Sequence, residues 1–198
     1  MIKTILFDLD GVLVDACDWH YHSLNDALLH YVGFTISQEE HRDQFNGLPT
    51  SVKLNMLHIN NDLHNDIWSM KQKRTLYNIK KYGTIDKYKI KMHETLINEG
   101  YTLACVTNSI KKTATEMLKI TGQEKFMSLL VSNEDVNNNK PYPDCYYYAM
   151  NKLSACIKET LIIEDSPKGK QAAFATGCNV LEVEDVYDVT LDKIRRFL

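Results

Sequence analysis

The sequence carries no paired-cysteine pattern. Its five cysteines, Cys17, Cys105, Cys145, Cys156 and Cys178, are odd in number, scattered and without CxxC spacing, which argues against a zinc knuckle or a secreted disulfide framework. A reducing cytoplasm is the expected setting. Basic excess is also missing: 23 Lys and Arg stand against 26 Asp and Glu, for a net charge of -3. The chain as a whole therefore offers no field that would gather nucleic acid or an acidic membrane surface, and the local run Lys71 to Arg74 reads as a solvated helix face. No apolar run approaches membrane-spanning length, and Met1 leads within a few residues into an apolar segment ending in acids, which leaves no room for a signal peptide. The expectation is a soluble, unprocessed protein. There is no internal repeat and no low-complexity tract. What is present is 44% hydrophobic content over 198 residues, enough for one globular domain or a core with a small insertion.

Four short pieces hold polar groups where an apolar run breaks off: ILFDLDGVLVD at 5–15, VTNS at 106–109, KP at 140–141 and IIEDSPKG at 162–169. On a parallel sheet all four meet at one rim, where open α/β sheets bind ligands. The pattern between them supports such a sheet. Ile2 to Phe7 is a β-branched and aromatic run suited to a central strand, and Gly11 follows it as a turn residue. From Trp19 to about Tyr82 the strand signal disappears and helical pieces take over, punctuated by Gly33, by Gly47 with Pro49, and by Asn60 with Asn61. Ser37 with Glu40 forms a capping box for the second of these pieces.

After Gly83 helices and strands alternate. A helix at 87–99 stops at Gly100, and a strand follows at 101–106. The same pattern predicts a helix at 110–120, a strand at 127–131, a helix at 144–153 and a strand at 161–163. A helix at 171–176 ended by Gly177, a strand at 179–183 and a terminal helix capped by Thr190 complete the chain. Alternation of this kind implies right-handed parallel crossovers.

Asp8 and Asp10 are two apart on an extended segment, so their side chains share a face and both can reach one ligand. Two carboxylates at the end of a buried strand repel, and a hard cation such as magnesium is the usual remedy. One of them is then placed to act as a nucleophile. A solvated turn is the plain alternative, while a calcium loop lacks its later acidic positions here. Thr107 brings a hydroxyl and Asn108 an amide to the start of a helix, where backbone N–H groups favour an anion, although N-terminal capping accounts for the same residues. Lys140 lies in a loop without helical periodicity, so its ammonium is able to point to the rim or simply into solvent. Glu164 and Asp165 place paired acids at another strand end, of which a helix N-cap explains one.

Together, in this order, the four pieces resemble the haloacid dehalogenase superfamily, whose pattern is DxDG, a Thr or Ser after strand two, a Lys, then paired acids. The resemblance runs from Ile2 to about Val183. The helical insertion and the EDSPKG sequence resemble the β-phosphoglucomutase-like phosphatase branch, with its small helical C1 cap. This implies an α/β fold: a Rossmann-like parallel-sheet core from 1–15 and 84–198, with an inserted all-helical cap at 16–83. It also implies a magnesium-dependent phosphatase acting on a small phosphate monoester, a sugar phosphate or nucleoside monophosphate, through an aspartyl-phosphate. Asp8 resembles the nucleophile and Asp10 the general acid and base. Asp8, the Asp10 carbonyl, Glu164 and Asp165 resemble the metal ligands, Glu164 either directly or through water. Thr107, Asn108 and Lys140 resemble the phosphate cradle.

An acid at Asp10 separates the chain from the dehalogenase, phosphonatase and ion-pump branches. The mutase branch grips a second phosphate with a cap Arg and Lys, and here the corresponding GLPTSV at 47–52 has no Arg, which favours hydrolysis over mutation. His20, in register with a mutase hinge histidine, and Asn46, Leu48, Thr50 and Lys73 are the cap residues expected to set specificity. A hexose-phosphate mutase and a non-catalytic binding protein with this fold are the alternatives. No nucleic acid or membrane partner is expected, and the oligomeric state is open. Tyr146 to Tyr148 read as helix packing.

Overall fold

A computed structural model describes all of Met1–Leu198. It divides into two compact units, Met1–Asp15 with Thr84–Leu198, and Ala16–Gly83. The first is built on a five-stranded sheet in the order β3-β2-β1-β4-β5, every neighbouring pair parallel. Its strands are β1 (Thr4–Phe7), β2 (Thr102–Val106), β3 (Leu129–Val131), β4 (Thr160–Glu164) and β5 (Asn179–Glu182). The central strand β1 is buried along its whole length, as a strand covered on both faces should be.

Register decides what each face holds. Leu6 pairs with Ala104 on one side and Ile162 on the other, and this face packs under Tyr146, Ala149, Ala172 and Ala173. These residues belong to α7 (Asp144–Lys152) and α8 (Pro167–Ala175). Phe7, beside Cys105 and Ile163, points to the opposite face, where its ring meets His93 edge-on at 5.4 Å between centroids. His93 lies on α5 (Lys87–Asn98). Because β1 pairs with β2 on one side and β4 on the other, the chain reverses its direction of winding beside β1. That opens the crevice at the carboxyl ends of these three strands.

The helical unit is described by itself. It contains α1 (Cys17–Val32), α2 (Gln38–Glu40), one π-helical turn at His41–Phe45, α3 (Thr50–Met56) and α4 (His64–Tyr82). Leu24, Ala27 and Leu28 fall at helical spacing on one stripe of α1 and bury with Leu54 and Ile67. Gly33 ends α1 at φ 76°, a left-handed conformation, and the Ser37–Glu40 capping box is formed in full. One sequence expectation is corrected here: Lys71 is buried, not solvated, because α4 turns it inward to donate to His20 Nδ1 at 3.1 Å. Arg74 stays at the surface with Asp26, 3.4 Å away.

The remaining helices, α6 (Lys111–Ile120) and α9 (Leu191–Arg195), lie close to their expected positions. α8 begins four residues earlier than expected, at Pro167, because Ser166 caps it through a hydrogen bond from Gly169 N. Neither Glu164 nor Asp165 therefore serves as its cap. None of the helices is long and apolar enough to cross a membrane, and all five cysteines are free.

Candidate active site

Asp8 follows β1 directly, and its N–H still donates to Ile163 O at 3.0 Å, so the sheet ladder itself fixes where the side chain leaves. Thr107 is held in the same way after β2, donating to Val131 O at 2.9 Å. Glu164 is the last residue of β4. Three adjacent strands thus deliver Asp8, Thr107 and Glu164 to one rim.

Between them stands Lys140. Its Nζ donates to Asp8 Oδ1 at 2.6 Å, to Glu164 Oε1 at 2.6 Å and to Val106 O at 2.8 Å, which uses all three ammonium hydrogens. The side chain is 3% exposed, so the ammonium is carried into the interior and is not left in solvent. Burial works against its charge, but Asp8 and then Glu164 outweigh it and hold the group protonated. Asn108 positions the lysine from behind: its amide accepts from Lys140 N and donates to Lys140 O, both at 3.1 Å. This clamp fixes the Asn108 amide beside the lysine at the start of the rim.

The acids at the rim crowd one another. Oxygens of Asp8, Glu164 and Asp165 all lie within 4.8 Å of each other. Burial pushes Asp8 well above the ordinary carboxylate range, opposed by Lys140 and reinforced by Glu164, Asp165 and Asp10. Asp165 is raised to about 7, first by burial and then by the charge of Glu164. Asp165 Oδ1 is buried with no hydrogen-bond partner. An orphaned acceptor among clustered carboxylates is what a hard divalent cation would satisfy, and the all-oxygen donor set suits magnesium. Glu164 is less available, because Oε1 already receives Lys140 and Tyr146, and Oε2 receives Ser166 Oγ at 3.4 Å.

Asp10 is held from the end of β2. Its Oδ2 accepts from Ser109 Oγ at 2.9 Å and, more weakly, from Thr107 Oγ1 at 3.5 Å. Thr107 Oγ1 in turn accepts from Ser109 N at 2.9 Å. These side chains do not cap the following helix. The N-cap position of α6 is Ile110, and the Lys111 N–H is taken by Glu134 at 2.6 Å. The turn after Asp10 is wound tightly, with the N–H groups of Leu13 and Val14 both on Leu9 O at 2.9 Å, and Gly11 N on Val14 O at 2.8 Å. Gly11 has φ 91°, and a Cβ there would overlap the Asp165 carboxylate, so glycine is required twice over.

Two residues of the site escaped sequence reasoning. Tyr146, read as packing, is fully buried and its hydroxyl donates to Glu164 Oε1 at 2.6 Å. Burial and the neighbouring Glu164 charge raise its pKa, so the proton stays on the phenol. The three consecutive tyrosines gave no signal for this, since only helical phase separates Tyr146 from its exposed neighbour Tyr147. Ser109 carries the same kind of polar group as Thr107 and Asn108 before it, so its position alone gives no separate signal.

The cap candidates lie in the helical unit. His20 is bonded to Lys71, Thr50 is buried at the start of α3, Asn46 follows the π-helical turn and Lys73 is exposed on α4. Buried Lys53 and His41 gave no separate signal in the sequence. Desolvation, then the charges of Lys53, His20 and Lys71, pull His41 down to about 3, so it is neutral at pH 7.

Residues 5–183 match the family described as haloacid dehalogenase-like hydrolase. Pyrophosphatase PpaX of Oceanobacillus iheyensis is 31% identical over 173 residues, covering 83% of this chain and 75% of the relative. The phosphorylated carbohydrates phosphatase of Thermotoga maritima is 24% identical over 200 residues, covering 95% and 85%. Among solved structures, CbbY from Rhodobacter sphaeroides in complex with phosphate superposes with a TM-score of 0.85 at 20% identity, covering 94% of this chain and 88% of that one. β-Phosphoglucomutase from Clostridium difficile gives 0.83 at 17%, covering 100% and 97%. At these identities the solved structures speak for the fold alone, and the sequence match carries the rest. The chain belongs to the haloacid dehalogenase-like hydrolase family, among its phosphatases.

Proposed function

We propose that this protein is a magnesium-dependent phosphatase that hydrolyses a small organic phosphate through a phosphoryl group carried on Asp8. The observation that carries the reading is Lys140 buried between Asp8 and Glu164, 2.6 Å from each, at the junction of three strand ends. A fixed ammonium there holds Asp8 Oδ1 and orients the carboxylate, leaving Oδ2 to attack phosphorus in line. The charge of the same cation, together with the Thr107 hydroxyl, offsets charge on the transferring oxygens. Asp10, held by Ser109, protonates the departing oxygen and afterwards takes a proton from the water that cleaves the aspartyl-phosphate, a role worth about 10²–10⁴ in rate. Asp8, Asp165 and the Asp10 carbonyl would hold the magnesium ion, with Glu164 reaching it through water because its own oxygens are engaged. Bound there, the ion supplies positive charge against the phosphoryl oxygens.

The relatives' names set the first substrates to try: pyrophosphate, phosphorylated sugars and phosphoglycolate, to which nucleoside monophosphates are added. Purified protein should release inorganic phosphate from at least one of them with magnesium, and lose that activity with EDTA or as Asp8→Asn. Mass spectrometry of acid-quenched reactions should find a phosphoryl group on the peptide holding Asp8. No release from any substrate, or equal rates for wild type and Asp8→Asn, would sink the reading. Appearance of an isomerised sugar phosphate in place of free phosphate would instead point to a mutase.

A further inference from the structure

Opposite the carboxylate cluster, a buried polar chain runs to the turn that carries Asp10. Gln123 is fully buried at the end of the α6 segment, and its Nε2 donates to Leu13 O at 3.0 Å and to Thr121 Oγ1 at 2.9 Å. A main-chain carbonyl only accepts, so the amide must face Leu13 with its nitrogen, which leaves Oε1 toward His93. His93 Nε2 lies 2.9 Å from that oxygen and therefore bears the hydrogen, with Nδ1 left unpartnered. Thr121 Oγ1 passes its own hydrogen to Met117 O at 2.8 Å. Both hydrogens and the oxygen of the Gln123 amide are thus committed, and the rings of Phe7 and Phe126 pack against His93 beside it.

The location gives this network a consequence beyond packing. The turn from Leu9 to Val14 is wound on itself, and an isolated bridge joins Asp10 to Val14. Gln123 grips that turn from outside it, at the residue next to Val14. His93 touches Phe7, the residue before Asp8, so one buried pair braces both flanks of the segment that holds the two aspartates.

We infer that Gln123, oriented by His93, is a positioning residue that holds the Asp10 turn where its carboxyl group can protonate the leaving oxygen. This rests on the proposed role of Asp10 as general acid. Losing the grip should therefore hurt substrates in proportion to how much their leaving group needs a proton. Displacements of about 1 Å cost roughly 10²-fold in comparable settings.

The test compares kcat/KM for phenyl phosphate, whose leaving group demands protonation, with p-nitrophenyl phosphate, whose leaving group demands little. Four proteins are measured: wild type, Asp10→Asn, Gln123→Met, and the pair His93→Leu with Gln123→Met. Met matches the length of Gln without hydrogen bonding, and the pair removes the His93 donor that Met alone would strand, so its melting temperature should recover toward wild type. Expected is a loss in Gln123→Met that is about tenfold larger for phenyl phosphate, in the direction shown by Asp10→Asn, and that persists in the pair despite recovered stability. A proportional loss on both esters in Gln123→Met, or a wild-type ratio in the pair, overturns the positioning role and leaves the Asp10 reading intact. If Asp10→Asn itself shows no leaving-group dependence, the general-acid reading fails and takes this inference with it.

Discussion

Tyr146 and Lys140 converge on one oxygen: the phenol and the ammonium both donate to Glu164 Oε1, each at 2.6 Å. The carboxylate is wholly buried, so these donors are what makes its charge tolerable. Tyr146→Phe removes one and keeps the ring that lies 4.9 Å from the lysine ammonium. Expected is a loss of about 1–3 kcal/mol in urea unfolding, with a fall in kcat of roughly tenfold as Glu164 and Lys140 loosen. Unchanged values on both would mean that the phenol is a bystander.

Lys140→Met should be far more severe. It strands Asp8 and Glu164 together without a cation, and breaking a buried pair of this kind costs about 3–5 kcal/mol. Phosphate release should drop to background even at saturating substrate. Magnesium should restore part of the melting temperature and none of the turnover, because an ion can neutralise the carboxylates without replacing the lysine's grip on Asp8 Oδ1.

At Gly169, the first turn of α8 packs flat against Glu164, and a Cβ there would overlap the carboxyl group. Gly169→Ala favours the helix intrinsically by about 1 kcal/mol. Steric conflict with a carboxylate that cannot move without losing Lys140 and Tyr146 outweighs this. The expected result is net destabilisation of about 1–3 kcal/mol and reduced activity, read by thermal melting and phosphate release. A protein as stable and active as wild type would show that Glu164 has room to shift.

Asp165 supplies a pH signature. Its pKa is raised from 3.8 to about 7, so between those values the folded protein keeps a proton that the unfolded chain has lost. Stability from this group accordingly falls as pH rises through that window. His93 and His41, lowered to about 4 and about 3, act in the opposite sense, but they are common to wild type and variant. In EDTA, Asp165→Asn should therefore exceed wild type in stability by on the order of 1–2 kcal/mol at pH 8 and by little at pH 4. With magnesium the wild type should regain the difference, since a cation removes the penalty on the carboxylate. A gap that does not grow with pH would contradict the raised pKa.

Much of the architecture was legible because it is local. The β-branched run before Asp8, the stops at Gly33 and Gly177, the Ser37–Glu40 capping box and the Thr190 cap are signals that nearby residues carry in full. Alternating strands and helices then leave few topologies, which is why the parallel sheet was foreseeable. α8 starts ahead of the alanine-rich stretch because Ser166 as cap and Pro167 in the first turn already begin the helix.

What the chain order determined alone is the sequence of elements and the acids and lysine placed at their ends. Which polar atoms meet was decided only by the tertiary structure: Lys140 reaches Asp8 across 132 residues, Gln123 reaches Leu13 across 110, and Tyr146 finds Glu164 across 18. The physical reason is that periodicity records which face of an element is buried, a property of neighbours along the chain. Hydrogen bonds between elements depend on sheet register and helix phase together, and a buried polar side chain looks like any other until its partner is in place.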